Sequence, residues 1–280
     1  MPYNTILVHV DQSRHAAGRI AYAARVANLC GAHLVGSAFS GISHFADAGD
    51  VAASWPQLAT ACEQMRQRAR LDLTGFDRIA AGAGVAAFSQ RLLDDDAEGG
   101  LMLQARYCDL LVLSQTDPAE VTPGVPRPLP PQLLLHGGRP LLLVPAGASD
   151  SSAMPARRPL LAWDGGNQAA RAITDALPLL RRAGSATLCV LNAEQHPGRH
   201  GAEPGADMAL FLARHGIQVE VLRQFSGIDI GSALLAVAAE RQCDLLVMGG
   251  YGHQRAREAL LGGATRTVLR EMTLPVLISH

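Results

Sequence analysis

The sequence is poor in aromatic residues and in charge of either sign. Only 4% of its 280 residues are Phe, Trp or Tyr, 18% are charged, and the formal net charge is −1. A general nucleic-acid binder carries a basic excess and often aromatic platforms for base stacking. Neither is present, so no nucleic-acid partner is expected. No apolar run reaches the ~18 residues of a membrane helix. The N-terminus, MPYNTILVHVD, lacks the basic stretch and apolar core of a secretory leader. Paired cysteine motifs are also missing. Cys30, Cys62, Cys108, Cys189 and Cys243 form no C-x-x-C and are odd in number. In contexts such as YCDLLVL and QCDLLVM they read as buried free thiols of a reducing compartment, and the expectation is a soluble, cytoplasmic protein with no membrane partner. Finally, there is no G-x-S-x-G elbow, no Walker lysine loop and no H-E-x-x-H. No catalytic residues are assigned.

What the chain does contain is an internal repeat. YCDLLVL and QCDLLVM place Cys108 and Cys243 135 positions apart, and the same offset sets Pro140 of RPLLLV over Pro275 of LPVLIS. Upstream, TILVHVDQS resembles PLLAWDGGN, with Asp11 and Asp164 153 positions apart and Gly31 over Gly184. The first copy therefore carries 18 extra residues, near positions 40–80. Residues 146–158, AGASDSSAMPARR, are rich in small residues and proline and read as a linker. A length of 280 suits two domains of about 140, here 1–146 and 157–280.

Within each copy short apolar strands alternate with helices. The pattern predicts strands at 6–10, 34–37, 86–92, 109–113 and 141–144, and again at 160–163, 186–191, 218–222, 244–248 and 276–278. Helices are expected between them, the first closed by Gly31 and its counterpart, over 169–183, by Gly184. Continuous apolar strands alternating with helices mean a sheet covered on both faces. The fold class is thus α/β: two tandem doubly wound, mostly parallel, five-stranded domains.

One stretch carries a chemical suggestion. GGYGHQRAREALLGGATRTVL, residues 249–269, follows the strand that ends at Met248. In open α/β sheets ligands bind beyond the carboxyl ends of the strands. Gly249, Gly252 and Gly262 form G-x2-G-x9-G, and Gly263, Ala264 and Thr265 open the last helix. Glycines let backbone lie against a ligand. A helix start offers unpaired N–H groups and a positive dipole end, which suit phosphate. Thr265 and Arg266 would add a hydroxyl and a cation. Glycines serve equally as turns and caps, so the loop alone leaves both readings open.

The segment DLLVMGGYGHQRAREALLGGATRTVLREMTLPVLIS resembles the C-terminal ATP-binding segment of universal stress proteins, whose signature is G-x2-G-x9-G-[ST] before a helix and a short Pro-led strand. The likeness extends to Asp164 at the end of a first strand, so the chain resembles a tandem universal stress protein. It implies a fold akin to the adenine nucleotide alpha hydrolases and a stress-response binding module. ATP or a related adenine nucleotide, with Mg2+, would occupy the C-terminal copy. Gly249 and Gly252 would lie near ribose and phosphates, with Gly262 as the third signature glycine, and Gly263 to Thr265 would hold the phosphate tail. Ala162, Trp163 and Asp164 would lie near adenine. The resemblance also implies an intramolecular pseudo-dimer, with PLLLV and PVLIS as pairing edges, and a further homo-dimer. One position departs from the signature: Gly263 stands where the family has Ser or Thr, removing a hydroxyl worth ~1 kcal/mol.

The first copy has lost the loop. Ser114, Asp117, Arg127, Pro128 and Pro130 stand at the positions of Gly249, Gly252, Gly262, Gly263 and Thr265. Proline has no N–H to offer, Asp117 would set a negative charge beside phosphates, and the following helix is expected to start near Pro131. A degenerate, structural copy is the reading, with a polyproline partner segment as its alternative. His253, Arg255 and Arg257 read as γ-phosphate contacts or a solvated surface. HPGRH reads as a solvated loop rather than a metal site, and the acids of DDDAE as helix-start residues. Trp163 either stacks on adenine or fills the sheet edge. Against the binding module stand a nucleotide-free scaffold and a slow ATPase or adenylyl-transfer enzyme.

Overall fold

The first strand, β1 (Thr5–His9), is followed by α1 (Ala16–Cys30), β2 (His33–Phe39), α2 (Trp55–Gly82), β3 (Phe88–Leu93), α3 (Ala97–Ala105), β4 (Leu110–Ser114), α4 (Leu129–His136) and β5 (Leu141–Val144). The repeat then runs β6 (Pro159–Ala162), α5 (Asn167–Leu180), β7 (Ala186–Leu191), two 3-10 turns (Ala193–Gln195 and Pro197–Arg199), α6 (Ala206–Arg214), β8 (Val219–Gln224), α7 (Ile230–Glu240), β9 (Leu245–Gly249), α8 (Gly263–Glu271) and β10 (Val276–Ser279). The computed structural model describes residues 2–41, 55–120, 129–147, 155–195, 197–251 and 263–280.

The chain divides into two compact units, Tyr3–Arg139 and Pro140–His280. The break falls just before β5, so the last strand of the first sequence copy belongs to the second unit. In Tyr3–Arg139 the strands run β3-β2-β1-β4, all parallel. In Pro140–His280 the order is β5-β10-β9-β6-β7-β8, parallel except for β5. PLLLV and PVLIS do pair: Val276, Leu277 and Ile278 face Leu143, Leu142 and Leu141 antiparallel. Both strands are buried throughout, as runs without a polar alternation require. The fold class expected from the repeat is the one observed, an α/β protein built on mostly parallel sheets.

The same clamp recurs in both copies. The Asp109 carboxylate accepts the backbone N–H groups of Asn4 (2.7 Å) and Thr5 (2.9 Å). The Asp244 carboxylate accepts those of Arg157 (2.7 Å) and Arg158 (2.9 Å). Each carboxylate precedes the fourth strand of its copy and holds the entry to the first. The outer strands β3 and β8 are half-exposed with polar faces, which explains their weaker apolar pattern.

At two helix ends the difference from the sequence reading has a physical cause. Gly31 ends α1 in the left-handed conformation (φ +66°) as expected, but α5 ends at Leu180 with Arg181 in a right-handed turn. Gly184 instead donates its N–H to the Arg157 carbonyl at 3.2 Å. The helix α4 starts at Leu129, not Pro131. Prolines 130 and 131 sit in its first turn, where no N–H has an intrahelical partner to lose.

Gly36 on β2 lies under α2, and a Cβ there would sit 2.7 Å from the Phe76 ring, itself fully buried. Gly36→Val is expected to cost about 1–3 kcal/mol by overpacking, read as a lowered urea midpoint.

Candidate functional site

In the second unit β6 lies between β7 and β9, so chain connections leave in opposite directions from its two sides. Crevices form at such switch points. A cavity of about 360 Å³ opens there, within the range of small-ligand sites. It is lined by Ala162, Trp163 and Asp164 after β6, Met248 and Gly249 at the end of β9, and Gly263, Ala264 and Thr265 at the start of α8. Eight of the ten residues singled out from sequence thus surround one space. The other two, Gly252 and Gly262, lie outside the described residues, as do His253, Arg255, Arg257, Arg127, Pro128 and His196.

Local constraints place each wall. The Trp163 N–H donates to the Cys189 carbonyl at 2.9 Å, extending β6 past its last ladder pair. The chain then turns sharply, with Gly165 at φ +72°. Asp164 closes the turn by accepting the Gly166 N–H at 2.9 Å. A Cβ on Gly165 would strike the Arg199 carbonyl at 2.4 Å, so the second 3-10 turn crosses directly over it. That crossing brings Arg199 Nη1 to 3.7 Å from Asp164 Oδ2. Gly249 is needed for a reason other than the one read from sequence. Its missing Cβ would lie 2.5 Å from the Ala169 nitrogen, so the approach of α5, not only a ligand, requires glycine.

Opposite, Asn192 ends β7 at φ +54°. Its side chain accepts the Ser226 N–H at 2.7 Å and donates to the Ser226 carbonyl at 3.0 Å. This fixes the loop that carries Asp229, whose carboxylate caps α7 by accepting the Ser232 N–H at 3.1 Å. Gly231 allows α7 to touch α8: a Cβ would sit 2.6 Å from the Ala264 carbonyl oxygen. The Thr265 hydroxyl accepts the Tyr251 N–H at 3.3 Å, tying the helix start to the end of β9. Arg266 is exposed and is not among the cavity walls.

Sequence reasoning missed Gln168, Asn192, Gln195, Arg199 and Asp229, which also line the cavity. Asp229 had a readable signal, an acidic residue directly before the apolar run IGSALLAV. Arg199 had none, because HPGRH reads as solvated loop. In fact His200 is buried there at 7% exposure. The acids of DDDAE behave as read, with Asp96 capping α3 through the Gly99 N–H at 2.8 Å.

The first unit fills the equivalent place with its own side chain. Arg19, 2% exposed, donates to the His9 carbonyl (2.8 Å), the Ser114 hydroxyl (2.7 Å) and Asp11 (2.8 Å). These three residues correspond by offset to Ala162, Gly249 and Asp164, and Arg19 itself to Ala172. The loop acid Asp117 is taken up by Arg14 and by His15, the latter at 2.8 Å. Burial raises the Asp11 carboxyl, but the neighbouring Arg19 guanidinium outweighs it and holds Asp11 well below the usual range. Burial pushes His9 down to about 4, against the pull of Asp11. The thiols of the buried cysteines are pushed up by burial, Cys108 to about 12 and Cys189 to about 11, and are inert.

The second unit is thus a doubly wound α/β sheet with a cavity over its switch point and a helix start among the cavity's walls. Residues 156–280 match the universal stress protein family. Over the whole length the fold is that of a universal stress protein from Archaeoglobus fulgidus, at TM-score 0.74 and 15% identity, covering 99% of this chain and 98% of that one. A functionally unknown protein from Pseudomonas aeruginosa PAO1 shares it at TM-score 0.57 and 15% identity, covering 99% and 92%. No curated protein matches in sequence. Among the described residues no helix is long and apolar enough to cross a membrane.

Two outcomes are expected. Arg19→Ala should cost about 3–5 kcal/mol, because Asp11 is left as an uncompensated buried charge. Adding Asp11→Asn should restore part of it, as read by urea unfolding. His9 takes up its proton at pH 6.5 when unfolded but only near pH 4 when folded. Its contribution is therefore complete above pH 6.5 and lost as pH falls toward 4, on the order of 3 kcal/mol. His9→Ala should flatten that part of the stability profile.

Proposed function

We propose that the Pro140–His280 unit binds ATP or a related adenine nucleotide and that the chain acts as a stress-response binding module of the cytoplasm. The observation carrying this reading is the coincidence of the strand-end cavity with the first turn of α8. The N–H groups of Gly263, Ala264 and Thr265 lack intrahelical partners by position, and the helix dipole favours an anion there. The chain has no lysine at all, so any cationic side chain that meets phosphate is an arginine or a histidine. Ala162, Trp163 and Asp164 form the opposite wall, where the base would rest. Mg2+ would accompany the phosphates, which it suits as a hard cation for oxygen ligands.

Arg19 in the first unit supports a single site per chain, since it occupies the counterparts of three cavity walls. Turnover is not part of the reading: among the described residues the cavity walls carry no Ser, Lys or Tyr, and their one hydroxyl, Thr265, is tied to Tyr251.

Calorimetric titration of the full chain with magnesium and ATP should give one nucleotide per chain. Thr265→Pro copies Pro130, a residue that the first turn of α4 accommodates. It removes one amide facing phosphate and should weaken binding at least about tenfold, the scale of a hydrogen bond to a charged group, with the far-UV circular dichroism unchanged. A stoichiometry of zero or two would sink the reading.

A further inference from the structure

In the first unit the loop after β4 brings two carboxylates to a histidine at the start of α1. A turn in which the Glu120 N–H donates to the Asp117 carbonyl at 3.1 Å draws the two acids together. Each spends one oxygen on a backbone amide. Asp117 Oδ1 accepts the Ala119 N–H at 2.9 Å, and Glu120 Oε1 accepts the Arg14 N–H at 2.7 Å. The remaining oxygens, Asp117 Oδ2 and Glu120 Oε2, lie 2.8 Å and 3.5 Å from His15 Nε2. The side chains of His15, Asp117 and Glu120 are only 14%, 13% and 20% exposed.

These three atoms all lie within 4.8 Å of one another. Their lone pairs converge, and the one proton that Nε2 can carry serves a single acceptor well. A cation meets such a convergence better. Arg14 does so in part, donating from Nη2 to Asp117 Oδ2 and from Nε to His15 Nε2 at 3.3 Å. Its side chain is 61% exposed, and exposed ion pairs hold weakly, so it can yield. Metal bonds of ~2.0–2.2 Å place neighbouring ligand atoms ~2.8–3.6 Å apart at octahedral or tetrahedral angles. The separations from Nε2 to both carboxylate oxygens fall in that range. One imidazole and two carboxylates form a donor set suited to zinc. The backbone amides already orient both carboxylates, as outer partners do around a metal.

We propose that His15, Asp117 and Glu120 bind one zinc ion, with Arg14 swinging out to admit it and water completing the coordination. The site lies wholly within Tyr3–Arg139 and owes nothing to the nucleotide reading of the other unit. The ion ties the loop after β4 to the start of α1, in the unit whose strand ends are filled by Arg19.

The test is equilibrium dialysis of the EDTA-treated full chain against zinc chloride, with thermal unfolding measured alongside. The wild type should take up one zinc ion per chain at this site, and zinc should raise its Tm. His15→Ala and Glu120→Gln should each weaken uptake at least about tenfold, no less than the loss of an outer partner costs, and lose the zinc-dependent rise in Tm. The glutamine keeps an acceptor for the Arg14 N–H, so the loop stays in place, and far-UV circular dichroism should match the wild type. Arg14→Ala keeps that N–H and removes the competing cation, so it should bind zinc at least as tightly as the wild type. No saturable zinc uptake by the wild type overturns the site. So does equal uptake by the wild type, His15→Ala and Glu120→Gln, or weaker uptake by Arg14→Ala.

Discussion

The hydrogen bonds from two successive backbone amides, Arg157 and Arg158, to the Asp244 carboxylate set the geometry on which the rest depends. They fix where β6 begins relative to β9. Parallel strands rise by a constant ~3.3 Å per residue, so fixing their entries also fixes their exits. By the same register Ala162 and Met248 stand level, and the cavity opens beyond them. The helix α5 can then close on Gly249, and α7 can meet α8 at Gly231, because both glycines leave backbone where a side chain would stand.

The two copies show one scaffold resolved in opposite ways. Asp109 makes the same clamp in the first unit, so its strand ends are equally well placed. What differs is what fills the space above them. An arginine buried at 2% exposure is tolerable only when its guanidinium finds partners, and His9, Ser114 and Asp11 each accept one hydrogen bond from it at the strand ends. The space over these strand ends is filled by an internal ion pair. The second unit keeps Ala172 at the arginine's position, and its strand-end aspartate lines an open cavity, with the Gly166 N–H and Arg199 beside it.

Much of this was legible in the chain because the repeat supplies its own alignment. YCDLLVL over QCDLLVM located β4 and β9, and the glycines after Met248 located the helix start. The resemblance to universal stress proteins rested on those same residues. The less visible parts share a physical cause: they depend on contacts between segments distant in sequence. Arg19 sits in a helix, RHAAGRIAYAARV, whose arginines look solvent-facing, and only the meeting of β1 and β4 shows that one of them points inward. Arg199 belongs to a polar loop that happens to cross Gly165. The end of α5 was misplaced because Gly184 looked like the cap found at Gly31, yet its N–H is drawn instead to the Arg157 carbonyl. Prolines 130 and 131 suggested a delayed helix, but a first turn has no amide bonds for them to break.

The strand β5 links the two halves in a way their separate cores do not. It is encoded with the first copy but completes the sheet of the second, covering the edge of β10 with three aliphatic pairs. An uncovered edge of that kind is a template for association with any other chain. The repeat boundary in the sequence is therefore not a line along which the protein can be divided. A cut within residues 146–158 would leave β5 on one fragment and the edge it covers on the other.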